Sequence, residues 1–418
     1  MKSSIPLTPL LKLLFICGLL LSGGCRSLTV DTAKPPVLGT GKNIQATAEA
    51  AALARYTAYR ERMKREFVAI GEGPGRSLVA HQVADGHIGW WADAMVVHGW
   101  YLAVLATEHN RAVTDEHRAS VEEELRFALK AIDRVDLEAE PTLSGGKAER
   151  LLDGFFLRDD VDDSVLPHFT QPSKLDTIRS DYTHELKTHN GGAAMSQDQL
   201  ISILFGLAMI NRFCLEPDIQ AQARDTFRRA YANVSENDWS LYMPRVKGEK
   251  KKPVPRGEIA KGLAAGLEDM ADEVLKGEKL PGKPAPFYSH TIMNWARSSW
   301  IPKSYNQSMV LIVGAMSNCW GDGTQKALKR YERTLYPLLH SVYHGPEPKI
   351  ELAYSRDYYL RTLAVAPDEG PHSEGPGGWD SWNRYYSPPA DTKGWAFAGL
   401  DYMLLCNLYF MEFHPQSL

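Results

Sequence analysis

Apolar and polar positions repeat with a period near 3.6 residues over long stretches of this chain, while alternation with a period of two is scarce. That pattern predicts a helical protein with little sheet. The helices it predicts are of two kinds. Residues 44–69, 115–134, 218–235, 257–276 and 323–343 carry an apolar stripe on one side only. Residues 91–106 ("WADAMVVHGWYLAVLA"), 197–214 ("QDQLISILFGLAMINRFC"), 305–319 ("YNQSMVLIVGAMSNC") and 393–411 ("KGWAFAGLDYMLLCNLYFM") are apolar nearly all round, and 350–365 is intermediate. A helix that is apolar on every face must be buried on every face, whereas a striped helix can keep one side wet. The two kinds roughly alternate, which suits an inner and an outer layer built from αα-hairpins. A solenoid would need a self-similarity of about 34 or 40 residues, and none is visible. The expected fold is therefore all-α: an (α/α) toroid, or a partly open double ring of αα-hairpins.

Such alternation has a functional consequence. If inner and outer helices run antiparallel, all inner helices point the same way and the segments leading into them gather at one end. Those segments are "HQVADGHIGWW" before 91, "RSDYTHELKTHNGGAAMS" before 197, "FYSHTIMNWARSSWIPKS" before 305 and "PHSEGPGGWDSWNRYYSPPADT" before 393. Histidine, tryptophan, tyrosine and glycine outside helices concentrate in these four places. The stretch 139–195 is the longest without a convincing helix, and with 367–394 it is expected to wall a cleft at that end.

Buried inner helices, one led by "MSQDQLISILFGLAMI" and another, "GLDYMLLCNLYFM", near the end of the chain, resemble the (α/α) toroid domains of secreted glycan-processing proteins. Examples are unsaturated glucuronyl hydrolases and alginate- or heparinase-type lyases. The resemblance covers residues 45–415 as architecture and carries no matching catalytic motif. It implies a fold and an oligo- or polysaccharide substrate, and no residue role comes with it.

The residues offer their own candidates. Aromatic faces stack on sugar rings, so Trp379, Trp382, Tyr385 and Tyr386, with His372 in the same loop, suit a carbohydrate cleft, joined by Trp90, Trp91 and Trp300 at the same predicted end. The same rings could instead staple the loop to helix ends. Asp93 and Asp198 each open an inner helix and could face one cavity as the acid pair of a glycoside hydrolase. Ser196 and Gln199 also form an S-x-x-Q capping box, which accounts for an aspartate in that first turn without catalysis. Glu374 and Asp380 have no helix to cap and join the candidate acids. For β-elimination the set would be His189, Asn190 and Tyr305, with Arg179, Tyr182 and His184 completing it. An anionic glycan is expected because inner-helix N-termini present positive potential.

Other motifs point elsewhere. His340 and His344 have ligand spacing but no third ligand nearby, and read as C-terminal helix residues; no metal and no cofactor is expected. "RDDVDDS" at 158–164 lacks the EF-hand spacing and reads as an acidic solvated turn, and "KGEKKKPVPR" at 247–256 as a solvated loop. A net charge of −4 excludes an electrostatic nucleic-acid footprint.

The N-terminus reads as a leader. Lys2 and Lys12 flank the start of "LLFICGLLL", which is too short to span a bilayer, and "LSGGC" resembles a lipobox, with Ser22 where leucine is usual. The expected organisation is a lipoprotein signal peptide over 1–24, a tether over 25–42 anchored to the bilayer through Cys25, and the helical domain over 43–418. Cys214, Cys319 and Cys406 sit in apolar surroundings and read as buried thiols. Together these readings predict an envelope-located saccharide-cleaving enzyme, hydrolase ahead of lyase, with a non-catalytic glycan-binding lipoprotein as the rival.

Overall fold

The computed structural model describes residues 42–84, 88–169, 175–182, 193–244, 250–259, 261–285, 305–317, 335–345, 355–364, 366 and 395–414. The chain divides at Val37, and the fold belongs to Leu38–Leu418. The leader, Cys25 and Cys319 lie outside the described residues.

As its periodicity predicts, the chain is mostly helical, with a few short strands and no closed sheet among the described residues. The helices are α1 (Lys42–Glu66), α2 (Ala94–Arg111), α3 (Asp115–Leu137), α4 (Ala139–Ser144), α5 (Gln197–Phe213), α6 (Pro217–Ser235), α7 (Lys261–Val274), α8 (Tyr305–Met316), α9 (Leu335–His344), α10 (Arg356–Ala364) and α11 (Leu400–Phe413). Their ends follow local chemistry. Thr114 caps α3 by accepting from the His117 N–H at 3.1 Å, and Pro217 opens α6, where a missing N–H costs nothing.

Burial separates the two kinds of helix. Every residue of α2 from Ala94 to His109, of α5 from Gln199 to Ile210 and of α11 from Leu400 to Phe410 is buried. By contrast α3 buries one stripe that includes Val121, Leu125, Leu129, Ile132 and Val135. One expectation changes. The described part of 323–343 is α9, which buries Leu335 through His340 and Tyr343, and so packs as an interior helix.

Contacts along the helices give their directions. Gln199 meets Asp93 where α5 and α2 begin, and Asn110 Nδ2 donates to the Phe213 carbonyl at 3.3 Å where they end, so the two run parallel. In α11, Phe397 lies beside His81 (6.4 Å between rings) just ahead of the helix, and further on Asn407 donates to the Val104 carbonyl at 3.2 Å. In α9, Tyr336 meets Trp100 (6.5 Å) and Tyr343 meets Phe213 (6.2 Å). Both therefore share the direction of α2. The partners α3 and α6 run the other way: His98 bonds the Ala128 carbonyl (3.0 Å) while His117 bonds Glu108 (2.9 Å), and Gln220 at the start of α6 donates to the Asn211 and Cys214 carbonyls at the end of α5. Among the buried helices, α2 packs on α5 and α11, α5 on α8, α8 on α9, and α9 on α11.

The closest of these contacts is backbone on backbone. A Cβ on Gly99 would stand 1.9 Å from the Ser202 carbonyl oxygen, and one on Gly206 would stand 2.4 Å from the Gly99 oxygen. Only glycine allows α2 and α5 to meet at this depth.

The strands lie where three of the four helix-leading segments were expected to gather. A four-stranded sheet has the order β3-β2-β1-β6, from β1 (Gln82–Ala84), β2 (Ile88–Trp90), β3 (Thr177–Arg179) and β6 (Trp395–Ala396). β1 pairs antiparallel with β2 and β6, and β2 pairs parallel with β3. The segments ahead of α2, α5 and α11 are thus hydrogen-bonded to one another; the one ahead of α8 lies outside the described residues.

Two loop expectations are corrected. The lysine-rich stretch ends in β5 (Pro253–Glu258), which pairs with β4 (Ser240–Tyr242). The acidic stretch 158–164 is solvated only at its far end: Asp159 and Asp160 are buried beside Val161, and Asp160 is held by Arg134 and by the Gly75 N–H at 2.9 Å. Apolar Phe155, Phe156 and Leu157 pull this strip inward, and Leu157 bridges to Ala194.

Candidate functional site

The site forms where α2 and α5 begin. Asp93 precedes α2 with φ 61° and ψ 24°, a left-handed conformation that costs about 1 kcal/mol for most residues and that aspartate tolerates better than most. The conformation turns the carboxylate away from its own helix, which it does not cap. Oδ1 of Asp93 instead receives Gln199 Nε2 at 2.8 Å and a charge-assisted bond from Arg158. The Asp93 N–H donates to Asp181 Oδ2 at 3.1 Å.

Asp198 stands one residue before Gln199 in the first turn of α5. Gln199 closes the expected capping box by accepting from the Ser196 N–H at 3.2 Å, and Ser196 Oγ also donates to Asp198. One glutamine therefore ties the cap of α5 to the carboxylate that opens α2. The Asp198 carboxyl is held above the ordinary carboxylate range, first by desolvation and then by the negative charge of Asp93. Its bond from Ser196 and the positive charge of Arg158 oppose the rise. Two carboxyl groups that feel each other, one ion-paired and one inclined to keep its proton, are the arrangement acid/base chemistry uses.

Behind this pair lies a second layer from the irregular segment. Buried Asp159 accepts from the N–H groups of Asp181 (2.8 Å), Val161 (3.3 Å) and Tyr182 (3.4 Å) and from Ser180 Oγ. Burial raises its carboxyl to about 8, with the Ser180 bond opposing and the Asp181 charge adding. Asp159 thus shapes the turn that presents Asp181 to Asp93. Arg158 Nε donates to the Ala194 carbonyl at 2.9 Å, and Nη1 lies 3.8 Å from Asp181. His81, ahead of β1, is buried near Asp93; burial lowers it to about 4, against the pull of the Asp93 charge.

The sequence candidates separate. Asp93 and Asp198 come together. Trp90 is half-buried, with the exposed Arg179 guanidinium 5.7 Å from its ring centre, and Tyr182 lies in the adjoining turn. Trp91 is corrected: it is fully buried, donates Nε1–H to the Leu78 carbonyl at 3.0 Å and packs on Phe169, so it is core and not a sugar platform. Tyr305 is the first residue of α8, with its side chain outside the described residues. His184, His189, Asn190, Trp300, His372, Glu374, Trp379, Asp380, Trp382, Tyr385 and Tyr386 also lie outside them. Arg158, Asp159, Asp181 and His81 were not named as site residues from the sequence, where Arg158 and Asp159 fell in the stretch read as an acidic solvated turn. The signal was the run Arg158-Asp159-Asp160-Val161 directly after the apolar "GFFL", where charged residues flanked by apolar ones on both sides are pulled toward a core.

Two histidine clusters elsewhere are held by ordinary bonds. His340 and His344 both bond the Ala315 carbonyl, at 2.9 and 3.1 Å. His109 lies near Glu122 and Glu216, with ligand atoms within 4.8 Å of one another. Its Nδ1 accepts from the Leu215 N–H at 3.3 Å, which leaves the proton on Nε2 to donate to Glu122 at 3.1 Å. Cys214 and Cys406 are buried free thiols raised by burial to about 11 and 12, so neither is a nucleophile at neutral pH.

No helix among the described residues is long and apolar enough to cross a membrane. Comparison with known family models, curated proteins and solved structures finds no match.

Proposed function

We propose that Leu38–Leu418 is an (α/α) toroid whose parallel inner helices open on a saccharide cleft, and that the protein is a glycoside hydrolase acting there. The observation that carries this reading is that Asp93 and Asp198 stand at the starts of α2 and α5, close enough for the charge of Asp93 to raise the Asp198 carboxyl. In the proposed reaction Asp198 gives its proton to the glycosidic oxygen, and the ion-paired Asp93 activates water or attacks the anomeric carbon. The succession of contacts α2–α5–α8–α9–α11–α2 supports the ring. Arg179 has no carboxylate partner among the described residues and lies over Trp90, which supports an anionic sugar stacked on an aromatic face. The leader and Cys25 support lipid anchoring in the cell envelope.

Incubating the purified protein with a panel of acidic and neutral polysaccharides tests the reading. The expected result is reducing-end release from an acidic member, falling about a thousandfold in Asp198→Asn. An ultraviolet-absorbing unsaturated product would instead establish elimination. Binding without cleavage across the panel would leave a non-catalytic glycan-binding protein.

A further inference from the structure

A recess lies at the far end of α2 from Asp93. It has a volume of about 410 Å³ and opens between α1 and α3, with Asn407 of α11 contributing to its lining. Its charged and imidazole lining is Arg60, Glu61, Lys64, Glu108, Arg111 and His117.

Its buried carboxylates are already saturated. Glu108 accepts from Arg60 Nε (2.6 Å), Tyr56 OH (2.9 Å) and His117 Nε2 (2.9 Å). Glu124, behind the wall, accepts from Arg60 Nη2 (3.0 Å), Tyr101 OH (2.8 Å) and Lys64. Glu61 is exposed at the rim.

The donors are in excess. Arg60 is 5% exposed, and its Nη1 is buried with no hydrogen-bond partner. Among the described residues, Arg111 bonds the side-chain oxygen of Asn407 and lies over Phe410 (4.8 Å) and Tyr56 (5.9 Å). It has no carboxylate partner among the described residues, and its Nε is buried without an acceptor. Arg60 and Lys64 are matched by the saturated carboxylates Glu108 and Glu124, Glu61 stands at the exposed rim, and Arg111 brings a permanent cation to the wall without a carboxylate partner among the described residues; Thr57, Thr114 and Ser120 line the same space. Buried guanidinium N–H groups without acceptors are costly, and both guanidinium groups belong to residues that line the recess, where an oxyanion offers charge-assisted acceptors.

We infer that this recess binds a small oxyanion, a phosphate or the carboxylate of an acidic monosaccharide, at a site separate from Asp93 and Asp198. Calorimetric titration of the full chain with inorganic phosphate and with glucuronate tests it, using Arg111→Gln and Val113→Trp. Val113 is 58% exposed and lines the recess, so the tryptophan closes it without entering the core. The expected result is saturable, salt-sensitive binding of at least one probe, weakened about tenfold in Arg111→Gln and abolished in Val113→Trp at an unchanged melting temperature. Which probe binds identifies the ligand. Absence of binding by both probes overturns the inference, as does binding that survives in folded Val113→Trp, which also decides the matter if Arg111→Gln fails to fold.

Discussion

Asp93 and Asp198 draw their properties from their neighbours. Asp198 is raised by desolvation and by the charge of Asp93, so removing that charge must lower it. In Asp93→Asn, the carboxyl carbon of Asp198 followed by NMR should titrate at lower pH than in the wild type; an unchanged midpoint would show that the two groups do not communicate. Both aspartates were legible because each opens an apolar helix. Their supports were not. Arg158, Asp159 and Asp181 lie in irregular chain, where no period marks which side faces inward, and a run of acids ordinarily means solvent. Gln199 was legible as half of a capping box, but its second bond to Asp93 depends on how two helices pack.

At the scale of elements, the pair depends on how deeply α2 sinks against α5. Gly99→Ala places a methyl inside the Ser202 carbonyl, and neither backbone can yield without lifting a buried helix. A loss of about 3 kcal/mol is expected, read from urea unfolding, and a variant as stable as the wild type would mean that the crossing is looser than described. The long helices were readable because 3.6-residue periodicity accumulates over many residues. Strands of two or three residues do not accumulate a period of two, so β1, β2 and β3 passed as loop, and β6 passed as the start of the helix expected over 393–411, which begins only at Leu400. Residues 323–343 read as a helix with one wet side, yet in α9 the polar-tipped Tyr336, His340 and Tyr343 are buried with the rest.

For the whole molecule, buried ionisable groups set the response to pH. Burial holds His81 and His98 at about 4 and His340 at about 3, below the 6.5 of a free histidine, so their contribution is lost as pH falls from 6.5 toward those values. Burial raises Asp136 to about 7, and Glu140 and Asp159 to about 8. The folded chain keeps those protons while the unfolded chain releases them, and stability falls as pH rises from about 4 to 8. The two trends oppose each other below 6.5, and only the acids act above it. Burial would also raise Glu108, but Arg60 and its other donors outweigh that and hold it at about 2, so a further loss begins below 4.5. The melting temperature should therefore be higher near pH 5.5 than near pH 8.5, and a melting temperature that climbs over that range would contradict these protonation states.

The pairing of Val83 with Ala396 also fixes an order of events in synthesis. The N-terminal third of the chain leaves the ribosome with β1 lacking its outer neighbour and with the buried face of α2 still waiting for α11. Neither can be supplied until nearly the last residues have been made. The site region is thus assembled by contacts between distant parts of the sequence, a topology that folds slowly and tolerates no early stop. A chain that ends before Trp395 would leave the edge of β1 and one face of α2 bare, two surfaces open to pairing with other chains.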